Sequence, residues 1–260
     1  LGVLDGLRAI VLPPNDPAAE NIGRHVLELG GFRRTGDGIY SAGRMILLEG
    51  EPAEVRLPEG VEEVIVASRH ESRSGKPCLT VHAPGLPEEM RLPPSSPPTV
   101  KCLLAEMKRL AEDLSLPYQV SLEATHHGPS DFPVPITFAE IGSSKDEWTN
   151  DLLGEVVARA ILFSMRPPSC RSGIGVGGPH YSPLHTRVSL ETEIGIGHIL
   201  PGSIRIGESL VEMAVRKSSA EMIVVDWKGT EREQREACLR VSERIGVELV
   251  KAGDLLSKKA

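Results

Sequence analysis

Glu123-Ala-Thr-His-His-Gly-Pro-Ser-Asp-Phe-Pro-Val-Pro-Ile-Thr-Phe-Ala-Glu-Ile-Gly-Ser-Ser-Lys-Asp-Glu-Trp-Thr-Asn150 is the stretch on which the reading of the fold turns. It holds an adjacent histidine pair, flanking carboxylates at Glu123 and Glu140, and one of two tryptophans in a segment with little helical or strand periodicity. The apolar alternation just before it, Tyr118-Gln-Val-Ser-Leu-Glu, predicts a strand that carries His126 and His127 out at its C-terminal edge. In open α/β sheets that edge is where ligands bind. Beyond the Gly128-Pro129 break, Val134-Pro-Ile-Thr-Phe-Ala-Glu-Ile reads as a short strand ending on Glu140, and Gly142-Ser-Ser opens the approach to a helix. Histidines and a carboxylate are thus expected to meet at neighbouring strand ends.

Working outward, the same alternation of strands and helices continues. Residues 8–12 read as an opening strand. Asn15-Asp-Pro supplies a cap with proline near the first helical position, and Gly30-Gly31 stops the helix that follows. Residues 44–48, 61–67 and 78–82 are further strands, the last two ending near His70 and His82. Residues 83–98, rich in proline and glycine, read as a long surface loop suited to a flap over a large substrate. Apolar residues spaced by three and four from Val100 to Leu114 give an amphipathic helix with Lys101, Lys108 and Arg109 outside. A helix capped at Thr149 or Asn150 runs to Met165, and helix, strand, helix follow over residues 211–245. The pattern indicates one α/β domain over residues 1–260, a twisted mixed sheet flanked by helices.

Composition narrows the function. A net charge of -7 argues against a broad cationic nucleic-acid surface, because such affinity comes from Lys and Arg neutralising phosphates. An RNA partner needs a local basic patch. Cys78, Cys102, Cys170 and Cys238 form no Cys-x-x-Cys pair, so neither a disulfide framework nor a thiolate zinc finger is indicated. No apolar run approaches the roughly 18 residues of a membrane span, and the acidic start lacks a signal peptide's regions. A cytoplasmic, soluble protein is expected, with no membrane and no nucleotide cofactor, acting as a monomer.

His126 and His127 are consecutive, so on an extended strand they point to opposite faces and need a local bend to act together. Gly128-Pro129 offers one. A neutral imidazole can accept a proton near physiological pH or bind zinc. His70, His82 and His180 are the next candidates, each at a strand end or in a glycine-rich turn, while His25 and His185 read as surface or packing residues. Gly173-Ile-Gly-Val-Gly-Gly-Pro-His lacks the spacing of a dinucleotide fingerprint. Its exposed N–H groups could meet a carbonyl oxygen or a phosphate. Ser72-Arg-Ser-Gly-Lys lacks the upstream glycine of a P-loop. Arg69, Arg73, Lys76, Lys145 and Arg171 are candidates for the basic patch, and Trp148 could stack on a terminal base of RNA. Trp227 reads as structural.

Ala124-Thr-His-His-Gly-Pro-Ser-Asp, Phe138-Ala-Glu-Ile-Gly-Ser, Glu147-Trp-Thr-Asn, Ser68-Arg-His, Leu79-Thr-Val-His and Gly177-Gly-Pro-His-Tyr-Ser-Pro together resemble the archaeal and plant type of D-aminoacyl-tRNA deacylase. The resemblance implies kinship with peptidyl-tRNA hydrolase and nucleoside-phosphorylase-like architectures. It implies hydrolysis of the ester between a D-amino acid and the 3′ end of tRNA, recycling both, and it implies zinc. The zinc candidates are His70, His82, His126, His127 and His180. For that chemistry His126 or His127 is expected as base or ligand, Glu140 as orienter or base, and the Gly177-Gly178 turn as the oxyanion or carbonyl contact. Arg69, Lys76, Lys145, Trp148 and Arg171 are the expected tRNA contacts. Two other readings stay open: a zinc amidohydrolase or peptidase with a small substrate, and a non-catalytic RNA- or nucleotide-binding module.

Overall fold

The structure, a computed structural model, describes residues 6–72 and 75–257. Arg73 lies outside them. In chain order the elements are β1 (Leu7–Leu12), α1 (Pro17–Gly30), β2 (Arg33–Gly36), β3 (Ile39–Ala42), β4 (Met45–Glu49), β5 (Val61–Glu71) and β6 (Cys78–His82). Then follow α2 (Pro97–Asp113), β7 (Gln119–Leu122), β8 (Ile136–Ser143), α3 (Lys145–Trp148), α4 (Asp151–Ser164), β9 (Arg171–Val176) and α5 (Pro183–Glu191). The chain continues through β10 (Ile194–Leu200), α6 (Glu208–Lys217), β11 (Met222–Val225), α7 (Arg232–Ile245), β12 (Glu248–Lys251) and α8 (Ala252–Ser257).

An eight-stranded mixed sheet has the order β2-β3-β4-β1-β5-β8-β6-β7, and a four-stranded sheet has the order β10-β9-β11-β12. The mixed α/β sheet flanked by helices is the class expected from the sequence. The second sheet, parallel throughout, is an addition to that expectation. Helix α1 starts as the sequence indicates: Asp16 Oδ1 accepts from the N–H groups of Ala18 and Ala19 at 2.9 and 3.0 Å, and Gly31 closes the helix at φ 66. Strands β6 and β8 are buried at every position, as strands covered on both faces must be.

One apolar cluster joins the two sheets. Ile10, Leu79 and Ile141 from the first meet Ile194, Ile196, Met222 and Val224 from the second, with Leu103 and Met107 of α2 among them. The outer face of the second sheet packs Ile174, Val176, Ile223 and Val225 against Val211, Cys238 and Val241 of α6 and α7. No helix among the described residues is long and apolar enough to cross a membrane.

Two local expectations change. Residues 83–98 are not an open flap, since Ala83, Leu92 and Ser95 are buried. The segment is fastened to α6 and to the second sheet: Ser95 N–H donates to the Lys217 carbonyl at 2.8 Å, and His198 Nε2 donates to the Pro93 carbonyl at 2.8 Å. Its prolines serve close packing where no ladder is available. Lys101, expected outside α2, is part-buried and its Nζ donates to the carbonyls of Ser189 and Thr192, the latter at 2.7 Å.

Candidate active site

Three adjacent strands build the floor. Ser68 of β5, Glu140 of β8 and Thr80 of β6 lie in one register. Ser68 Oγ donates to Glu140 Oε1 at 3.0 Å and Thr80 Oγ1 donates to Oε2 at 3.1 Å. Two residues further along the same faces come His70 and His82. A Cβ at Gly142, paired with His70, would come within 2.6 Å of its ring. Only glycine leaves room for that imidazole. The His82 ring stacks on Phe138 with centroids 5.2 Å apart.

Glu140 therefore sits inside β8 and not at its end, because pairing on both sides carries the strand on to Ser143. Glu123 follows β7, anchored by its N–H to the Val81 carbonyl at 3.1 Å. His127 has φ 44, the bend that lets two consecutive histidines serve one site. Its carbonyl accepts from Gly85 N–H at 2.7 Å. The second sheet delivers the remaining groups on the loop after β9. His180 Nε2 lies 3.0 Å from Glu123 Oε1, and Tyr181 hydroxyl lies 3.0 Å from His70 Nε2.

The cluster grades from dry to wet. His82 and Glu123 are each 1% exposed and Glu140 3%, whereas His127 and His180 are exposed. Burial would lower the His70 pKa, but the Glu123 and Glu140 carboxylates override it and push it up to about 12. For Glu123 burial acts upward, and its histidine neighbours His180 and His70 win, holding it well below the usual carboxylate range. Burial raises Glu140 against His70. Burial and the nearby His126 and His127 keep His82 well below its usual value, and burial with His127 lowers His126 to about 4. His82 and His126 are thus neutral at pH 7 while His70 is a cation.

Hydrogen bonds fix the tautomers. His126 Nδ1 donates to the Ala124 carbonyl at 2.8 Å and His127 Nδ1 donates to the Gly128 carbonyl at 2.7 Å, so each Nε2 carries a lone pair. His82 Nε2 faces His127 Nε2 at 3.1 Å. Donor atoms of His82, His126 and His127 all lie within 4.8 Å of one another, and so do those of Glu123, His126 and His180 and those of His70, Glu123 and Glu140. His126 and His127 turn their far N–H groups to backbone carbonyls and converge with His82, a nitrogen donor set that suits zinc. The donor set fits the metal that the resemblance implies.

All five candidate histidines come together, and so do Glu140 and Glu123. Tyr181, Ser68, Thr80 and His198 were not singled out from the sequence. Tyr181 could have been found, since it follows His180 directly. The Gly177-Gly178 turn behaves otherwise than expected. Gly177 N–H donates to the Leu200 carbonyl at 2.8 Å and Gly178 N–H to the Gly229 carbonyl at 2.9 Å, so neither is left for a substrate oxygen. Their φ values of 92 and 80 account for the glycines instead.

The basic candidates separate. Arg69 lies 5.6 Å from the Trp148 ring centroid and pairs with Glu71 at 2.8 Å. Lys145 is exposed close by, one turn before Trp148. Lys76 is exposed, and its carbonyl accepts from Ser143 Oγ at 2.7 Å. Trp148 donates its Nε1–H to the His70 carbonyl at 3.1 Å and packs half-buried against the core, which braces β5. Arg171 starts β9, at the opposite end from His180, and pairs with Glu248 at 2.8 Å and Glu221 at 3.4 Å. It cannot join the site. His185 is wholly buried, with Nε2 donating to the Val224 carbonyl at 3.1 Å, and His25 is buried beside Asp151; both are packing residues.

Known proteins are similar to this chain over most of its length. A family model described as D-aminoacyl-tRNA deacylase matches residues 57–250. A D-aminoacyl-tRNA deacylase of Methanosarcina acetivorans is 38% identical over 209 residues, covering 76% of this chain and 69% of that one. One of Thermococcus onnurineus is 32% identical over 274 residues, covering 94% of this chain and 100% of that one. A crystal structure described as a conserved protein of unknown function superposes with a TM-score of 0.89 at 28% identity, covering 96% of each chain. By sequence, the chain belongs to the D-aminoacyl-tRNA deacylase family.

Proposed function

We propose that this protein hydrolyses the ester joining a D-amino acid to the 3′ end of tRNA and releases both. One observation carries the reading: three neutral or exposed imidazoles converge at an open face above a buried pair of glutamates. Ester hydrolysis needs an activated water, a polarised carbonyl and a proton for the departing ribose hydroxyl.

His82, His126 and His127 would hold a zinc ion through Nε2, and bound zinc supplies a water of pKa near 7 and a Lewis acid for the carbonyl. Glu123 orients His180 through Nε2, leaving Nδ1 to take a proton from water and return it to the ribose oxygen. Cationic His70 donates to the Tyr181 hydroxyl oxygen, which sharpens that hydroxyl as a donor towards the developing oxyanion. Glu140, held by Ser68 and Thr80, keeps His70 charged. As an enzyme on tRNA, the protein belongs in the cytoplasm.

The test incubates zinc-replete protein with matched D- and L-aminoacyl-tRNAs and follows ester loss. Faster loss of the D form supports the reading. Equal rates, or binding without turnover, would remove it.

A further inference from the structure

The carboxyl-terminal rim of the second sheet carries more than His180. Val176, Leu200, Val225 and Lys251 end β9, β10, β11 and β12, and the register places Val176 beside Leu200 and Val225, and Val225 beside Lys251. The chain leaves β9 for β10 on one side and returns across it to β11 on the other. Such a switch point is where open parallel sheets receive ligands. The loop after β9 bears His180 and Tyr181, and the loop after β11 runs Asp226-Trp-Lys-Gly-Thr. Gly178 N–H donates to the Gly229 carbonyl at 2.9 Å and fastens the two loops together.

Around Trp227 the rim is built of cations. The Lys251 ammonium lies 4.6 Å and the Arg235 guanidinium 5.3 Å from its ring centroid. Arg235 also donates to the Trp227 carbonyl at 2.8 Å, and Lys228 is exposed beside it. None of the three pairs with a carboxylate among the described residues. Their neighbours on α7 all do: Arg232 with Glu236 at 2.7 Å, Arg240 with Glu208 at 2.6 Å and Arg244 with Glu212 at 2.9 Å. Asp226, adjacent in sequence, directs Oδ1 to Gly229 N–H at 3.0 Å. In a chain of net charge -7, three cations kept from carboxylates, two of them against one indole, form a local positive site.

We infer that Lys228, Arg235 and Lys251 are a phosphate-binding rim that holds the RNA backbone of the substrate beside its 3′ end. This rests on the deacylase reading. Lys228 precedes Gly229, and His180 lies two residues beyond Gly178, so the main chain allows roughly 15 Å between rim and reacting groups. An ester placed at the histidines therefore brings the phosphates of the last few nucleotides over the rim. A cavity of about 960 Å³ on this edge is lined by Glu208, Glu231 and Glu233 together with Arg205 and Arg240, and Arg240 pairs with Glu208 at 2.6 Å. Its three carboxylates outnumber its two guanidiniums, so it offers a phosphate backbone no net positive charge, which leaves the Trp227 side as the track.

The experiment measures binding and cleavage of D-aminoacyl-tRNA across a salt series for wild type, Lys228→Gln, Arg235→Gln, Lys251→Gln and Lys228→Glu. Each neutralised contact should lower the magnitude of the log–log salt slope by about 0.7–0.9. The ratio of kcat/KM on D-aminoacyl-tRNA to that on D-aminoacyl-adenosine, which lacks the phosphates, should fall by about threefold or more per variant and further for Lys228→Glu. Lys228 is exposed, so its variants fold even if loss of the Arg235 contact to Trp227 loosens the loop. If wild type cleaves D-aminoacyl-tRNA and the variants keep its slope and ratio, the rim is overturned and the deacylase reading stands. If wild type binds tRNA without cleaving it while the slopes fall, the rim stands and the deacylase reading is lost.

Discussion

His82 and His127 face each other Nε2 to Nε2 across 3.1 Å, and with both rings neutral no placement of their protons satisfies both. His127 Nδ1 already donates to the Gly128 carbonyl, so its Nε2 is a lone pair. If His82 carries its proton on Nδ1, facing Glu123 and Glu140 at 3.7 and 3.9 Å, two lone pairs oppose. If the proton sits on Nε2, a buried lone pair faces two carboxylate oxygens. A cation between the two nitrogens removes the conflict.

His127→Ala should therefore lower zinc content below one ion per chain and slow deacylation by about a hundredfold. His127 is exposed, so its circular dichroism should remain native. Elemental analysis beside a single-turnover assay checks this. A variant with full zinc and unimpaired turnover would move the metal elsewhere.

Glu140 should be a stability residue as much as a functional one. Glu140→Ala strips the acceptor from Ser68 and Thr80 and leaves cationic His70 short of a counter-charge in a dry site, at a cost of about 3–5 kcal/mol. Glu140→Gln keeps one carbonyl acceptor and should lose less. Urea midpoints of the two variants test the order, and equal midpoints would mean that the carboxylate is not the anchor of this network.

The histidines of the site were legible because their signal is local. Alternation placed His70, His82 and the histidine pair near strand ends, and the Gly128-Pro129 break signalled the bend. The depth of Glu140 was not legible, since residues Ile136 to Ser143 read equally well as a short strand followed by a helix approach. Only pairing with both β5 and β6 extends β8 through them. Tyr181 and His198 reach the site through contacts 111 residues apart, from His70 to Tyr181, and 73 apart, from Thr125 to His198. No periodicity encodes those. Residues 83–98 misled for a related reason: proline and glycine remove ladder hydrogen bonds, but they do not decide which side of a loop meets protein.

Tyr181→Phe removes a single oxygen. With the hydroxyl donating to the oxyanion, kcat should fall by about 10²-fold with KM little changed. A packing role would leave kcat near wild type, because the ring that contacts His70 and His180 remains.

His198, which meets the site through Thr125, offers a test of the pH dependence of stability. It is wholly buried, with Nδ1 accepting from Thr125 Oγ1 at 3.0 Å and Nε2 donating to the Pro93 carbonyl. Burial lowers its pKa from 6.5 to about 4. The folded protein therefore binds fewer protons than the unfolded chain between those values, so stability falls as pH drops through 6.5 and stops falling on this account below about 4. The contribution is roughly 3 kcal/mol, from about 1.4 kcal/mol per pKa unit. His198→Gln should lose some stability at pH 7 and show a shallower decline in urea midpoint from pH 7 to 4 than wild type. Other buried histidines, His185 among them, decline in the same direction in both proteins, so the difference between the curves isolates His198. Parallel curves would mean that His198 takes up its proton in the folded protein over the same pH range as in the unfolded chain, so that burial does not hold the ring neutral.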